Sequence, residues 1–544
     1  MTSSAASLRG FLRIRPRDAR KVLRDLDEAS GTGPDLLPAL ILKKCAGELC
    51  LPVALLARLC LNEGRWPETW REHWIHPLHK RKSRAEPGNY RGVHLTPQLA
   101  KVVERVVGNV FVPWLQNNGF GDRQYAYSKG RSHRDVLAAN VCDWILAFEN
   151  DCAVGLYCSD VSGAFDRVCR QRMSEKLRAS GLPDNVVRFL ESWLEDRRSY
   201  VVVAGGESAS TVLANSVFQG TVLGPPLWNT FYGDARWSVR RLGFVESIFA
   251  DDFNCWVVID RDTDSDTAFA VLSMGQFELH EWGRANRVTF DPAKEAFVLL
   301  RRRDAVGQDF KLLGLTFDPQ LLMHRGARKI ATEAGWRLSS ILRSAKFFST
   351  PEVFRLYKAY VLSYIESSMT GYYHAADSTL TCIDRIQSRF LRAMDMSEVD
   401  ALVRFRLAPL KLRRDIGILG FLHRVTLGLV SPQLQALFPK AGRRALAPGI
   451  AGRSRLARRY HDKQIVDRVT RSSTVLFCNS IFGMVECYNS LPQRLVDLLN
   501  VSVFQRALQA SCAQRAKEGY GQWQQICSEG RKYSSLIRFQ AFFV

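Results

Sequence analysis

The chain has 544 residues, 46% of them hydrophobic, an ordinary share for a globular protein and enough for several subdomains with sizeable cores. Lys and Arg outnumber Asp and Glu by 76 to 54, a net charge of +22, and such an excess suits a polyanionic partner. Thirteen Cys without a CxxC pair, in a chain this long, exclude a disulfide-stapled minidomain and read as reduced thiols.

In chain order, an amphipathic segment around Ala19 to Ala29 leads into Gly31-Thr32-Gly33-Pro34. The most apolar early stretch, Leu51 to Leu61, is broken by Pro52 and Arg58, so no membrane span is expected. Ala153 to Ser159 reads as a mostly buried strand that ends in Asp160, followed by Val161-Ser162-Gly163-Ala164-Phe165-Asp166. Asn215 to Asn229 is a polar, glycine-containing loop running into an apolar, helix-like stretch. An apolar run ending at Ile248 then meets Phe249-Ala250-Asp251-Asp252 and the strand-like Phe253 to Ile259, which predicts a hairpin with two carboxylates at its tip. On this pair alone a solvated Asp-Asp turn reads as well as a metal seat. Asp160 breaks the tie. Two such strands side by side would bring Asp160 close to Asp251, giving the hard oxygen ligands that two Mg²⁺ ions need for phosphoryl transfer, with Mn²⁺ as a substitute.

Helical periodicity returns from Ala327 to Ala393, with Val353, Phe354, Tyr357, Tyr360 and Val361 on one apolar stripe. Phe438 to Gly452 reads as a linker. Residues 401 to 470 hold 15 Lys and Arg against 3 Asp and Glu, with the pairs Arg413-Arg414, Arg443-Arg444 and Arg458-Arg459. This is the footprint expected of phosphate-backbone contacts, against the alternative of a solvated charged face.

Asp160 with Ala164-Phe165-Asp166, then Gln219-Gly220-Thr221-Val222-Leu223-Gly224-Pro225, then Phe249-Ala250-Asp251-Asp252, resembles the ordered polymerase motifs of a non-LTR (LINE-type, jockey-like) retrotransposon reverse transcriptase. The resemblance extends to Gly33-Pro34-Asp35, Trp66-Pro67, Ile75 to Lys80, Tyr90 to Leu95, Lys101 to Arg105, Gln124 to Tyr127 with Lys129-Gly130-Arg131-Ser132, and Phe290 to Lys294. It implies an α+β, right-hand polymerase: an N-terminal segment and fingers over 1–150, an antiparallel palm sheet with helices over 151–320, a helical thumb over 321–400, and a basic, mostly helical region over 401–544.

The resemblance also implies roles. Asp160 and Asp251 would bridge the two metal ions, with Asp252 as a weaker partner and Asp166 as a supporting carboxylate. Lys80 and Arg91 would clamp the triphosphate, Arg by paired hydrogen bonds and Lys as a point charge. Lys294 matches the position proposed to protonate pyrophosphate. Phe165 would sit under the sugar and exclude a 2′ hydroxyl, Gln219 and Gly220 would let the loop approach the nucleotide, and Arg131 would approach the template. A surface cation for Lys80, a solvated Lys for Lys294 and a core Phe for Phe165 are the plain alternatives. Two departures stand out: Gly92 where the family usually has Pro, and Ser216 and Phe218 where it usually has Gly and Pro. Phe218 is expected to add bulk near the nucleotide.

The implied function is RNA-directed DNA synthesis from deoxynucleoside triphosphates on an RNA template with a DNA or RNA primer. The location expected is intracellular, in the nucleus or a cytoplasmic ribonucleoprotein, and not secreted. No endonuclease or ribonuclease H pattern is visible, so target nicking is expected from an endonuclease in trans. A catalytically weak descendant surviving as an RNA-binding protein is a second reading. An RNA-dependent RNA polymerase is a third, against which Phe165 argues.

Overall fold

The structure is a computed structural model that describes residues 13–80, 83–441, 461–470, 472–521 and 523–525. Arg443, Arg444, Arg458 and Arg459 lie outside the described residues. Eleven strands run among the described residues: β1 (Glu72–His79), β2 (Tyr90–Leu95), β3 (Cys152–Asp160), β4 (Arg197–Val203), β5 (Gly206–Glu207), β6 (Thr211–Leu213), β7 (Val245–Phe249), β8 (Asp252–Asp260), β9 (Ala296–Leu300), β10 (Phe310–Leu312) and β11 (Leu315–Phe317). Helices supply most of the rest, in keeping with the α+β class.

The chain divides into two compact units that interleave. One takes Met1–Ser128, Cys158–Phe253 and Met274–Glu295; the other takes Lys129–Tyr157, Asn254–Ser273 and Ala296–Val544.

In the first unit, β2, β1, β4 and β5 form a sheet in that order, with β6 also paired to β4. β1 and β2 are antiparallel, from Trp74 opposite Leu95 to His79 opposite Tyr90, and β1 runs parallel to β4. Behind them lies an aromatic core with a charge inside it. The fully buried Arg197 guanidinium lies 4.6 Å from the Trp193 ring and 4.7 Å from the Phe218 ring, and it donates to the carbonyls of Trp193 and Trp70 at 2.8 and 3.0 Å. Planar, weakly hydrated guanidinium is the cation best suited to such a place.

A second sheet has the order β7, β8, β3, β9. β7 and β8 are joined by two residues, Ala250 and Asp251, a connection short enough only for an antiparallel hairpin. β3 is buried along nearly its whole length, which is why its sequence is a continuous apolar run rather than an alternating one. β3 and β8 each pass from one unit into the other, and the ends that carry Asp160 and Asp252 belong to the first.

In the second unit, Trp144 meets Trp256, Phe310 and Phe317 edge-on at 6.1, 6.0 and 5.8 Å. Gly155 opens β3 to the helix Ser265–Asn286: a Cβ there would stand 3.2 Å from Leu272. The periodic stretch from Ala327 forms helices His324–Ser344, Thr350–Leu356 and Asp377–Ala393. Val353, Phe354, Tyr357 and Val361 are buried as expected, but Tyr360 is half exposed. It sits in a π-helical turn, Tyr357–Leu362, whose wider winding breaks the 3.6-residue phase. No helix among the described residues is long and apolar enough to cross a membrane.

The first unit's core also buries His73 and His94, ring centroids 4.8 Å apart, with Phe218 against both. Burial first, then each other and Arg197, push His73 down to about 3; burial and Arg197 push His94 down to about 4. Both rings are therefore neutral when folded and protonate on unfolding below pH 6.5. Stability is intact above that pH and falls as the pH drops, by about 1.4 kcal/mol per unit for each ring, about 4 kcal/mol in all between pH 6.5 and 5. Urea midpoints across this range should show the decline, and His94→Phe should halve this pair's contribution to the slope.

Candidate active site

The hairpin tip is built from a strained residue. Ala250 has φ +59°, a left-handed conformation that a residue with a Cβ holds only when its surroundings impose it. They do: Ala250 N–H donates to Gln124 Oε1 at 3.2 Å, and the Trp228 indole donates to the Ala250 carbonyl at 3.0 Å. The next two residues, Asp251 and Asp252, are thereby aimed from a turn whose backbone is pinned on both sides.

β8 neighbours β3, so Asp252 at the start of one strand meets Asp160 at the end of the other. The Asp252 carboxyl hydrogen-bonds Asp160 and is pushed up to about 7 by burial, then by the charges of Asp160 and Asp251. Asp251 is also raised, by burial and by Asp160, with Lys294 and Arg91 opposing. Segment 289–294 runs alongside: Ser162 N–H donates to the Thr289 carbonyl at 3.0 Å and Asp291 N–H to the Asp160 carbonyl at 2.9 Å. This lays the Lys294 ammonium on Asp160 Oδ2, with Asp291 3.7 Å away, and the hydrogen bond to Asp160 raises the Lys294 pKa.

Among the described residues no three His, Cys, Asp or Glu side chains are already converged as a coordination set. Lys294 and Asp252 both engage Asp160. The chemistry of the donor set nonetheless fits divalent cations, since three hard carboxylates crowd one place, and burial and then the neighbouring carboxylates raise Asp251 and Asp252.

The β1–β2 hairpin brings the expected cations. Arg91 is exposed and acts electrostatically on Asp251, and Lys80, held by its N–H to the Asn89 carbonyl at 2.8 Å, acts on Asp166. Phe165 is half-buried, its ring 6.4 Å from Tyr127 and 6.0 Å from Trp228, and its carbonyl accepts from Val217 N–H at 2.9 Å.

The Gln219-Gly220 loop closes against β2. His94 N–H donates to the Gln219 carbonyl at 2.7 Å, and Gly220, at φ +104°, passes so near that a Cβ would stand 2.7 Å from the His94 carbonyl oxygen. The glycine is thus required by the loop's own docking. Phe218 corrects the expectation of bulk at the nucleotide: it is fully buried and turned into the core against His73, His94, Trp193 and Arg197. Gly92, opposite Pro77, packs so closely that a Cβ would touch Ile75 Cγ2 at 3.0 Å.

The positioning role of Glu104 is what sequence reasoning overlooked. Fully buried on the helix Gln98–Asn118, its carboxylate accepts from the N–H groups of Val222 and Leu223 at 2.9 and 3.3 Å and from the Trp193 indole at 2.9 Å, within reach of the Arg197 charge. Burial pushes Glu104 up and Arg197 down to about 10, each opposed by the other's charge. The signal was the helical phase: Glu104 shares a face with Ala100, Val103, Val107 and Phe111, all buried.

The basic candidates lie elsewhere, in the second unit. Arg131 precedes the helix His133–Glu149, and Arg413 is half-buried with its Nε on Glu366 at 2.5 Å. Arg414 corrects the expectation of phosphate contact: it is 4% exposed with its fork filled by Asp384 at 2.5 and 3.0 Å.

Residues 78–317 match the family described as reverse transcriptase (RNA-dependent DNA polymerase). They form a reverse transcriptase domain. The chain is 25% identical over 405 residues to the RNA-directed DNA polymerase from mobile element jockey of Drosophila melanogaster, covering 69% of this chain and 43% of that protein. It is 24% identical over 397 residues to the probable RNA-directed DNA polymerase from transposon X-element of the same organism, with the same coverage. The retrovirus-related Pol polyprotein from type-1 retrotransposable element R1 of Bradysia coprophila is 26% identical over 272 residues, 49% of this chain and 26% of that protein. Among solved structures, telomerase from Candida albicans aligns over 64% of this chain and 67% of that one, at 13% identity and a TM-score of 0.37. The non-LTR resemblance stands, and the chain spans less than half the length of the curated relatives it matches.

Within the reverse transcriptase domain, Glu104→Ala should cost about 3–5 kcal/mol, because it strands the buried Arg197 charge and two loop N–H groups together. Gly220→Ala should cost about 1–3 kcal/mol for the left-handed backbone alone. Thermal unfolding of purified variants checks both.

Proposed function

We propose that this chain is an RNA-directed DNA polymerase of the non-LTR retrotransposon class, transferring deoxynucleotides to a primer 3′ hydroxyl on an RNA template. The observation that carries the reading is the crowding of Asp160, Asp251 and Asp252 at the ends of two adjacent strands, with the exposed Arg91 acting on the same cluster.

Asp160 and Asp251 would hold two Mg²⁺ ions, or Mn²⁺ in their place, with Asp252 supporting. When bound, these ions would supply Lewis acidity at the attacking and leaving oxygens. The protein's own part is positioning and charge. Arg91 offers a planar fork to the triphosphate and Lys80 a point charge. Lys294 keeps its proton because Asp160 favours the ammonium, so a proton is available at Nζ for the departing pyrophosphate. Phe165, half-buried beside Tyr127 and Trp228, would lie under the sugar, and the docked Gln219-Gly220 loop would form the adjoining wall. An endonuclease acting in trans completes the expected set of partners.

Primer extension on an RNA template with Mg²⁺ tests the reading. Asp251→Asn should lower extension by about 10³-fold or more while leaving RNA binding unchanged, since the carboxylate serves the metal ions and not the nucleic acid. A folded, RNA-binding parent that extends no primer would overturn the polymerase reading in favour of an RNA-binding descendant. Phe165→Val should raise ribonucleotide incorporation relative to deoxynucleotide by about 10–100-fold, because it removes a steric rejection worth about 1–3 kcal/mol. Competing incorporation of a matched ribonucleotide and deoxynucleotide pair measures the ratio.

A further inference from the structure

The second unit holds a cavity of about 500 Å³ bounded by one face of the helix Leu410–Thr426 and one face of the helix Val501–Lys517. Four arginines line it, Arg134, Arg413, Arg424 and Arg506, against a single carboxylate, Glu366.

Their partners divide them. Arg424 is spent: its fork holds the buried Asp135 at 2.9 and 3.3 Å and the Gly130 and Leu429 carbonyls at 3.0 and 3.2 Å, so it serves as a fixed wall. Arg413 gives its Nε to Glu366. Arg134 and Arg506 are exposed and donate only to the carbonyls of Ser367 and Ser502, both at 3.2 Å, and among the described residues neither meets a carboxylate. Like charges drawn from separate parts of the chain into one cavity repel one another, and an anion between them relieves that repulsion.

We propose that this groove binds the phosphodiester backbone of single-stranded RNA, with Arg134, Arg506 and the outer nitrogens of Arg413 as the phosphate donors. The proposal rests on the reading above only for the choice of RNA as the polyanion. Length favours a polymer: the lining runs from Arg413 to Arg424, eleven positions along one helix, about 16 Å, room for more than one phosphate. Volume excludes a duplex, for which the cavity is far too small. Planar forks suit phosphate oxygens, and backbone contacts carry no sequence preference.

The test is binding of a short unstructured RNA oligonucleotide to the full chain over a range of salt. Arg134→Glu with Arg506→Glu should weaken binding at least about tenfold and lower the slope of log affinity against log salt by about 1.4, the share of two single-strand phosphate contacts. Arg302→Glu with Arg303→Glu, at exposed positions, makes the same change in net charge and should leave the slope nearly unaltered. Arg134→Lys with Arg506→Lys should fall between, keeping charge and losing the fork. Equal losses from both Glu pairs, or none from the first, would overturn the groove. Displacement of the RNA by micromolar inorganic pyrophosphate would overturn RNA as the occupant in favour of a free phosphate. Extension of a short primer–template, run on the same proteins, separates the two claims: a parent that binds RNA through the groove but extends nothing sinks the polymerase reading alone.

Discussion

Much of the first unit depends on one fully buried carboxylate. Glu104 spends both oxygens on the loop entering the helix Gly224–Tyr232 and on the Trp193 indole, and it draws on Arg197 for countercharge. Neither charge could be buried alone, because desolvation costs each several kcal/mol, and together they are tolerable only with their remaining hydrogen bonds made. Arg197 meets that condition in part, through the Trp70 and Trp193 carbonyls, which tie β4 to the segment before β1, while its Nη2 has no hydrogen-bond partner among the described residues. The loop bearing Gln219 and Gly220 therefore inherits its position from a core, not from its own sequence.

The carboxylate centre works on a different principle. Asp160 is held beside Asp251 and Asp252 by the pairing of β3 with β8, and burial, then the neighbouring carboxylates, shift Asp251 and Asp252 upward. Lys294 partly offsets the negative charge at Asp160. A core ion pair is selected to be satisfied, whereas this cluster is left short of positive charge where an incoming cation can supply it.

The legible parts of this chain were those with local signatures. Continuous apolar strands ending in Asp160 and flanking Asp251-Asp252, the glycine at position 220 and the helical stripe through Phe354 and Tyr357 could all be read from neighbours in sequence. Long-range partners could not. Nothing near Ala250 announces that Gln124 and Trp228 hold its strained backbone, and nothing near Phe218 says which way the ring turns. Arg413-Arg414 looked like one basic patch, yet adjacent positions on a helix point about 100° apart, and Arg414 went to a buried fork with Asp384 while Arg413 reached a cavity rim. Tyr360 fell off its stripe because a π-helical turn has no local sequence mark.

The interleaving of the two units bears on inheritance. The chain passes between them five times, and two of those passages lie within the strands that bear Asp160 and Asp252. A module bounded by two cuts can be borrowed by another gene, duplicated or lost without disturbing its neighbours. Here no two cuts free either unit, and a break inside β3 or β8 severs the carboxylates from the strands that aim them. Transfer of either unit alone would therefore take more than two cuts, some of them inside the strands that aim the carboxylates.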